Sequence, residues 1–174
     1  MRHAQREKTR INTHNTTLLM DEIASITGKM AYLCSRREYC SGDIAGKLRR
    51  SGLSPQDISE VLSRLHKEGY IDDMRFAAAF VRDKSAITGW GGRKIEYVLR
   101  KKGIDNETIA VAMRESISPA AERRMKALLS SKWKSIDAPD IRTRRARFLR
   151  YAAGRGYGME DSVRIMEEFE NSET

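Results

Sequence analysis

Six positions of this chain return 51 residues later (44 to 95). Ile44, Leu48, Gly52, Leu53, Ile58 and Leu62 are followed by Ile95, Leu99, Gly103, Ile104, Ile109 and Met113, apolar for apolar and glycine for glycine. Arg49 and Arg50 fall on Arg100 and Lys101. A weaker third copy, offset by 104 (44 to 148), runs Phe148, Ala152, Gly156, Tyr157, Ser162 and Met166. Ser162 stands there where the first two copies have isoleucine, and a degenerate last copy is usual where one face has no neighbour. A fixed period of this length marks tandem supersecondary units that bury a face on one another. Such arrays bind more often than they catalyse.

The spacing inside each copy is helical. Leu18, Leu19, Ile23, Ile26, Met30 and Leu33 keep the three-to-four step of an amphipathic helix near 17–37, with Gly28 as its weak point. Ser41 is the expected cap of a helix over 42–51 that Gly52 ends in a left-handed turn. Ser54-Pro55 opens a third helix that buries Ile58, Val61, Leu62 and Leu65 and stops at Gly69. Asp72-Asp73 caps the next helix, with Phe76, Phe80 and Ile87 expected inward, and Gly89-Trp90-Gly91-Gly92 breaks it. A helix from Gly92 to Gly103 and a short one capped by Asp105 complete the second group. Ser118-Pro119 starts a helix with an apolar stripe of Met125, Leu128, Leu129 and Trp133. Helices near 140–154 and 158–170 follow, the last expected to bury Met159, Val163, Met166 and Phe169. Only 3 prolines and 7% aromatic residues argue against an all-β sandwich. The expectation is an all-α chain of nine helices: a basic N-terminal arm over 1–16, then three-helix repeats over 17–71, 72–117 and 118–174.

A net charge of +9 and a pI near 9.8 point to a polyanionic partner. No apolar run is long enough for a bilayer, and the N-terminus has no signal-peptide core, so neither a membrane nor a secreted setting is expected. Cys34 and Cys40 fit neither a redox pair nor a zinc knuckle, and are expected as free thiols. His3, His14 and His66 have no second ligand at metal spacing, so no metal and no cofactor is proposed. Asp72-Asp73 reads as a helix cap before it reads as a cation site. The Gly89–Gly92 run could cradle a phosphate, but it lacks the preceding strand and the lysine of phosphate loops, and a turn with Trp90 packed on a neighbouring helix fits it better. No nucleophile–base pattern is present, and an enzyme is not expected.

The basic residues carry the better lead. Arg49 and Arg50, then Arg93, Lys94, Arg100, Lys101 and Lys102, then Arg142, Arg144, Arg145, Arg147 and Arg150, sit on the middle helix of each group or at its end. A stripe of like charge on stacked units would neutralise phosphates without reading sequence. Few aromatics interleave with these positions, which weakens a base-stacking reading.

The block Gly69-Tyr70-Ile71-Asp72-Asp73-Met74-Arg75-Phe76-Ala77 resembles the G-Y-[LI]-D-D-x-R-F-A signature of the RecX family, bacterial regulators of the RecA recombinase. The resemblance continues through Ile95, Leu99 and Lys102-Gly103-Ile104, reaches Arg155-Gly156-Tyr157, and includes Leu33, Ser35-Arg36-Arg37-Glu38 and Lys47-Leu48 earlier, covering about residues 28–170. Gly92 departs from it, standing where many members have proline.

The resemblance implies an elongated, curved array of three tandem three-helix, helix-turn-helix-like repeats. It also implies a cytoplasmic, non-enzymatic and monomeric protein that binds RecA filaments and inhibits their growth, ATP hydrolysis, strand exchange and co-protease activity. It implies binding to single-stranded and in part double-stranded DNA without strong sequence preference. Within the signature, Tyr70, Asp72, Asp73, Arg75 and Phe76, with Gly103, are expected to be structural: rings packing at the junction of the first two repeats, carboxylates capping, Arg75 pairing. Two other readings stand beside this one. A helix-turn-helix duplex binder would prefer one site by orders of magnitude, and a purely protein-binding scaffold would leave DNA alone.

Overall fold

The computed structural model describes residues 21–172. The expected basic arm over 1–16 and the start of the first helix lie outside the described residues. Among the described residues there are helices and turns and no strand. The helices are α1 (residues 21–36), α2 (Ser41–Arg50), α3 (Pro55–Lys67), α4 (Asp73–Ala86), α5 (Gly92–Lys101), α6 (Asn106–Ser116), α7 (Pro119–Ser135), α8 (Ile141–Arg155) and α9 (Met159–Ser172). The chain divides into two compact units, one ending at Asp72 and one beginning at Asp73.

The repeat has a local cause. At its centre α2 ends with Gly52 at φ 84°, α5 with Gly103 at φ 81° and α8 with Gly156 at φ 88°. In each case the residue after the glycine reaches back five positions: Leu53 N–H donates to the Leu48 carbonyl (3.4 Å), Ile104 to Leu99 (3.2 Å) and Tyr157 to Ala152 (3.1 Å). This is the Schellman closure, which needs a left-handed residue and favours an apolar pair across the turn. A β-carbon at these angles would be strained, so glycine recurs, and the residues on either side of it recur as apolar because they meet.

In the first unit, Ile44, Leu48, Ile58, Val61, Leu65 and Ile71 form the centre of a core that also takes Ile23, Ala31 and Tyr39. Each fully buried isoleucine, leucine or valine among them contributes about 1.5–3 kcal/mol relative to staying in water. Ser54 caps α3 as expected, its Oγ accepting the Asp57 amide with Pro55 in the first turn. Ser41 does not cap α2. It is already inside the helix, Cys40 holds the preceding position, and Ser41 Oγ instead lies 2.8 Å from His66 Nε2 on α3.

In the second unit α4 packs on α5, α6 and α7, and α7, α8 and α9 pack on one another. Both expected repeats from residue 72 onward therefore share one compact body. Ile95, Leu99, Phe148, Ala152, Leu129 and Ile165 are fully buried. Trp133, Phe148 and Phe169 meet edge to face at 5.5 and 6.2 Å, the geometry aromatic quadrupoles favour. Asp105 and Asp140 cap α6 and α8 by accepting the Thr108 and Thr143 amides at 2.9 and 2.8 Å.

Two inward assignments fail at helix ends. Ile87 is 67% exposed because α4 stops at Ala86, and Met159 is 54% exposed as the first residue of α9. Phe76, Ala77, Val81 and Ser85 form the buried face of α4 instead. Ser162, the polar residue in an apolar repeat position, is buried. Its hydroxyl donates to the Gly158 carbonyl (2.6 Å), so it meets no unsatisfied environment.

Candidate nucleic-acid interface

The glycine run Gly89–Gly92 shows first what this surface is not. The start of α5 receives the end of α8. Gly91 N–H donates to the Arg155 carbonyl (2.8 Å) and Arg93 N–H to the Gly156 carbonyl (3.1 Å). Tyr157 Oη donates to the Gly89 carbonyl (2.7 Å) and Arg155 Nη1 to the Thr88 carbonyl (3.0 Å). A helix C-terminus, negative by its dipole, thus fills the place an anion would take at the α5 N-terminus. A β-carbon on Gly91 would lie 2.3 Å from the Gly156 backbone, so the glycine is required by close approach. Trp90 packs edge-on against Phe80 (6.2 Å), with the Lys84 and Lys94 ammonium groups 5.1 and 4.6 Å from its ring. The turn reading fits these contacts, and its partner is the backbone of a later turn.

The basic positions separate into those the fold uses and those it leaves outward. On α8, residues one or two apart point in different directions, while those three or four apart share a face. Arg144 turns inward, its guanidinium 4.0 Å over the Trp133 ring and Nη2 donating to the Trp133 carbonyl (3.2 Å). Arg145 forms a two-point pair with Glu170 of α9 (2.7 and 2.5 Å), and the Glu170 carboxylate holds its guanidinium more firmly charged than usual. Arg142, Arg147 and Arg150 remain on one side. They line a shallow cleft of about 540 Å³ with Asp140 and Thr143. Arg147 and Arg150 also line a neighbouring cleft of about 510 Å³ with Lys132, Asp137 and Tyr151. Arg147 is oriented by its bond to the Asp137 carbonyl (2.5 Å). Lys132 was not singled out by the sequence pattern, because it lies on α7, outside the repeated middle helices.

On α5 the outward residues are Arg93, Tyr97, Arg100 and Lys101, while Ile95 and Leu99 point into the core. Arg100 is held by Glu96 (3.2 Å) and Asn106 (3.1 Å). Lys94 is half-buried beside Trp90, and Lys102 is half-buried with its ammonium 5.3 Å from the Phe76 ring, so these two serve packing as well as charge. In the first unit Arg49 and Arg50 are exposed at the end of α2.

The signature residues lie around the start of α4. Asp73 is its first residue, Asp72 precedes it, and both are half-buried. Phe76 is buried and stacks on Phe80 at 5.9 Å. Arg75 is exposed, and Tyr70 is 37% exposed, more open than a packed ring.

Fold and surface together define a helical tandem-repeat protein whose glycine-capped middle helices carry arginine and lysine outward. Residues 72–113 match the second three-helix domain of RecX. A Regulatory protein RecX of Pseudomonas fluorescens (strain SBW25) is 30% identical over 158 residues, covering 86% of this chain and 95% of that one. One from Prosthecochloris aestuarii is 38% identical over 84 residues, 48% of this chain and 56% of the relative. A crystal structure of RecX from Lactobacillus salivarius superposes with a TM-score of 0.75 at 19% identity, covering 87% of this chain and 98% of that one. A second, of regulatory protein RecX, also gives 0.75, at 21% identity and 87% and 73% coverage. The chain belongs to the RecX family of regulatory proteins.

Proposed function

We propose that this chain is a non-enzymatic modulator that lies along RecA–DNA filaments and restrains their growth, and with it ATP hydrolysis, strand exchange and co-protease activity. The observation that carries the reading is the outward set Arg142, Arg147 and Arg150, joined by Lys132 across two adjoining clefts. Its chemistry suits phosphates or an acidic protein face. Arg49, Arg50, Arg93, Arg100 and Lys101 supply further positive charge on the other middle helices. The three-repeat division at 17–71, 72–117 and 118–174 belongs to the same reading, supported by the recurring Gly52, Gly103 and Gly156 closures. So do a monomeric, cytoplasmic protein and binding to DNA without strong sequence preference.

The test is RecA's hydrolysis of ATP on single-stranded DNA. Purified chain below stoichiometry is expected to lower the rate, and no change at excess and moderate salt overturns the proposal. Preference for one duplex sequence by orders of magnitude would replace it with a helix-turn-helix operator reading. RecA binding with no DNA affinity even at low salt would reduce it to a protein scaffold.

A further inference from the structure

The middle helix of the second repeat carries something its two counterparts lack. Tyr97 is 56% exposed on α5. The equivalent position is Gly46 in the first copy (97 less 51) and Arg150 in the third (46 plus 104). The core positions beside it are conserved within the chain: Ile44, Ile95 and Phe148 are all fully buried. The repeat therefore does not require a ring at this outward position. A tyrosine there is also a poorer helix former than the arginine or lysine that would suit a water-facing site.

Its neighbours share one charge. Arg93, Tyr97 and Lys101 follow at intervals of four and lie along one face. At about 1.5 Å per residue this sets a cation roughly 6 Å along the axis on either side of the ring. The Lys101 ammonium is 5.1 Å from the ring centroid. Arg100 adjoins them, positioned by Glu96 and Asn106. An exposed aromatic ring between cations spaced along a strand-like path is the arrangement that holds unpaired bases: the ring stacks on the base and the cations meet the flanking phosphates. A duplex offers this face its phosphates alone, since its bases are already stacked on one another.

We propose that Tyr97 is a stacking platform for an unpaired nucleobase, with Arg93 and Lys101 meeting the adjoining phosphates, so that this face takes single-stranded in preference to double-stranded nucleic acid. The proposal rests on the reading of the outward basic residues as a nucleic-acid surface and specifies the strand form they accept.

The experiment is fluorescence anisotropy with three labelled probes of equal length: an oligothymidylate, an abasic strand and a duplex. The proteins are the wild-type chain and its Tyr97→Phe, Tyr97→Leu and Arg93→Glu variants. Tyr97→Phe should bind all three probes as the wild type does. Tyr97→Leu should lose about tenfold on oligothymidylate, the size of one stacked base, and nothing on the abasic strand or the duplex. Arg93→Glu should weaken all three and reduce the salt dependence. Equal losses for Tyr97→Leu on every probe, or no loss on any, overturn the stacking role while the Arg93→Glu result still supports the basic surface. A wild-type chain that binds no probe at low salt overturns the underlying reading and this proposal together. Unchanged oligothymidylate affinity with weakened RecA binding assigns Tyr97 to a protein contact, which also overturns the proposal.

Discussion

Replacing Gly91 by alanine tests how the second unit is held together. The added β-carbon would fall 2.3 Å from both the carbonyl carbon and oxygen of Gly156 and 2.5 Å from the Tyr157 nitrogen. All three are backbone atoms, so no side-chain rotation relieves the overlap, and the start of α5 must separate from the end of α8. Four hydrogen bonds cross this joint: Gly91 to Arg155, Arg93 to Gly156, Tyr157 to Gly89 and Arg155 to Thr88. At roughly 1 kcal/mol net for each bond, losing two to four of them predicts destabilisation of about 2–4 kcal/mol. Gly154→Ala is the matched control. Gly154 lies within α8 with nothing within 4 Å of its β-carbon position, so alanine there should stabilise by about 0.5–1 kcal/mol. Urea denaturation followed by circular dichroism measures both. Hydrogen exchange should show the Gly91 and Arg93 amides deprotected only in the first variant. A Gly91→Ala protein within about 0.5 kcal/mol of wild type, the range of an ordinary surface change, would refute the reasoning.

Three further outcomes follow from particular contacts. Arg144→Ala removes a guanidinium stacked on Trp133 and its bond to the Trp133 carbonyl and should cost about 1–2 kcal/mol in a denaturant titration, while Arg142→Ala should leave the midpoint unchanged. The Asp105 and Asp140 carboxyls are held below the usual carboxylate range, chiefly by the backbone amides of Thr108 and Thr143 and next by the threonine hydroxyls. Their folded values lie below the unfolded one, so their stabilisation is present above about pH 4 and is lost as pH falls through the lowered values. A thermal melt series from pH 5 to pH 2 should fall more steeply for wild type than for the Asp105→Asn, Asp140→Asn double variant. Burial, and then the charge of Glu38, push the Cys34 thiol up. Cys34 should therefore alkylate more slowly at neutral pH than free cysteine, and fully buried Cys40 should react only on unfolding, as peptide mapping after timed iodoacetamide treatment would show.

The parts of the fold legible in the sequence are those with local causes. Gly52, Gly103 and Gly156 each close a helix through bonds to residues no more than five positions away, so period, glycine and flanking apolar residues appear together in the sequence. The Ser54, Asp105 and Asp140 caps are likewise local. The apolar period places Ile87 and Met159 inward, yet both are exposed, because such a period does not mark where a helix starts or stops. The candidate surface was legible only as charge. Six arginines in α8 look alike in sequence, yet Arg144 is claimed by Trp133, eleven residues away, and Arg145 by Glu170, twenty-five away. Likewise, the filling of the Gly89–Gly92 turn depends on Gly156, which only tertiary packing brings near. Tyr97 left a faint signal in the Arg93–Tyr97–Lys101 spacing, obscured by the general scarcity of aromatics.

The outward arginines are most directly tested by titrating RecA's single-stranded-DNA-dependent ATP hydrolysis with two proteins side by side: the wild-type chain and a variant carrying Arg142→Glu, Arg147→Glu and Arg150→Glu. These three side chains are exposed and contribute nothing to the core, so the variant should keep the wild-type circular dichroism spectrum. Inhibition by the wild-type chain and its loss in the folded variant is the expected result. Equal inhibition by the two proteins would contradict the assignment of this face to the filament.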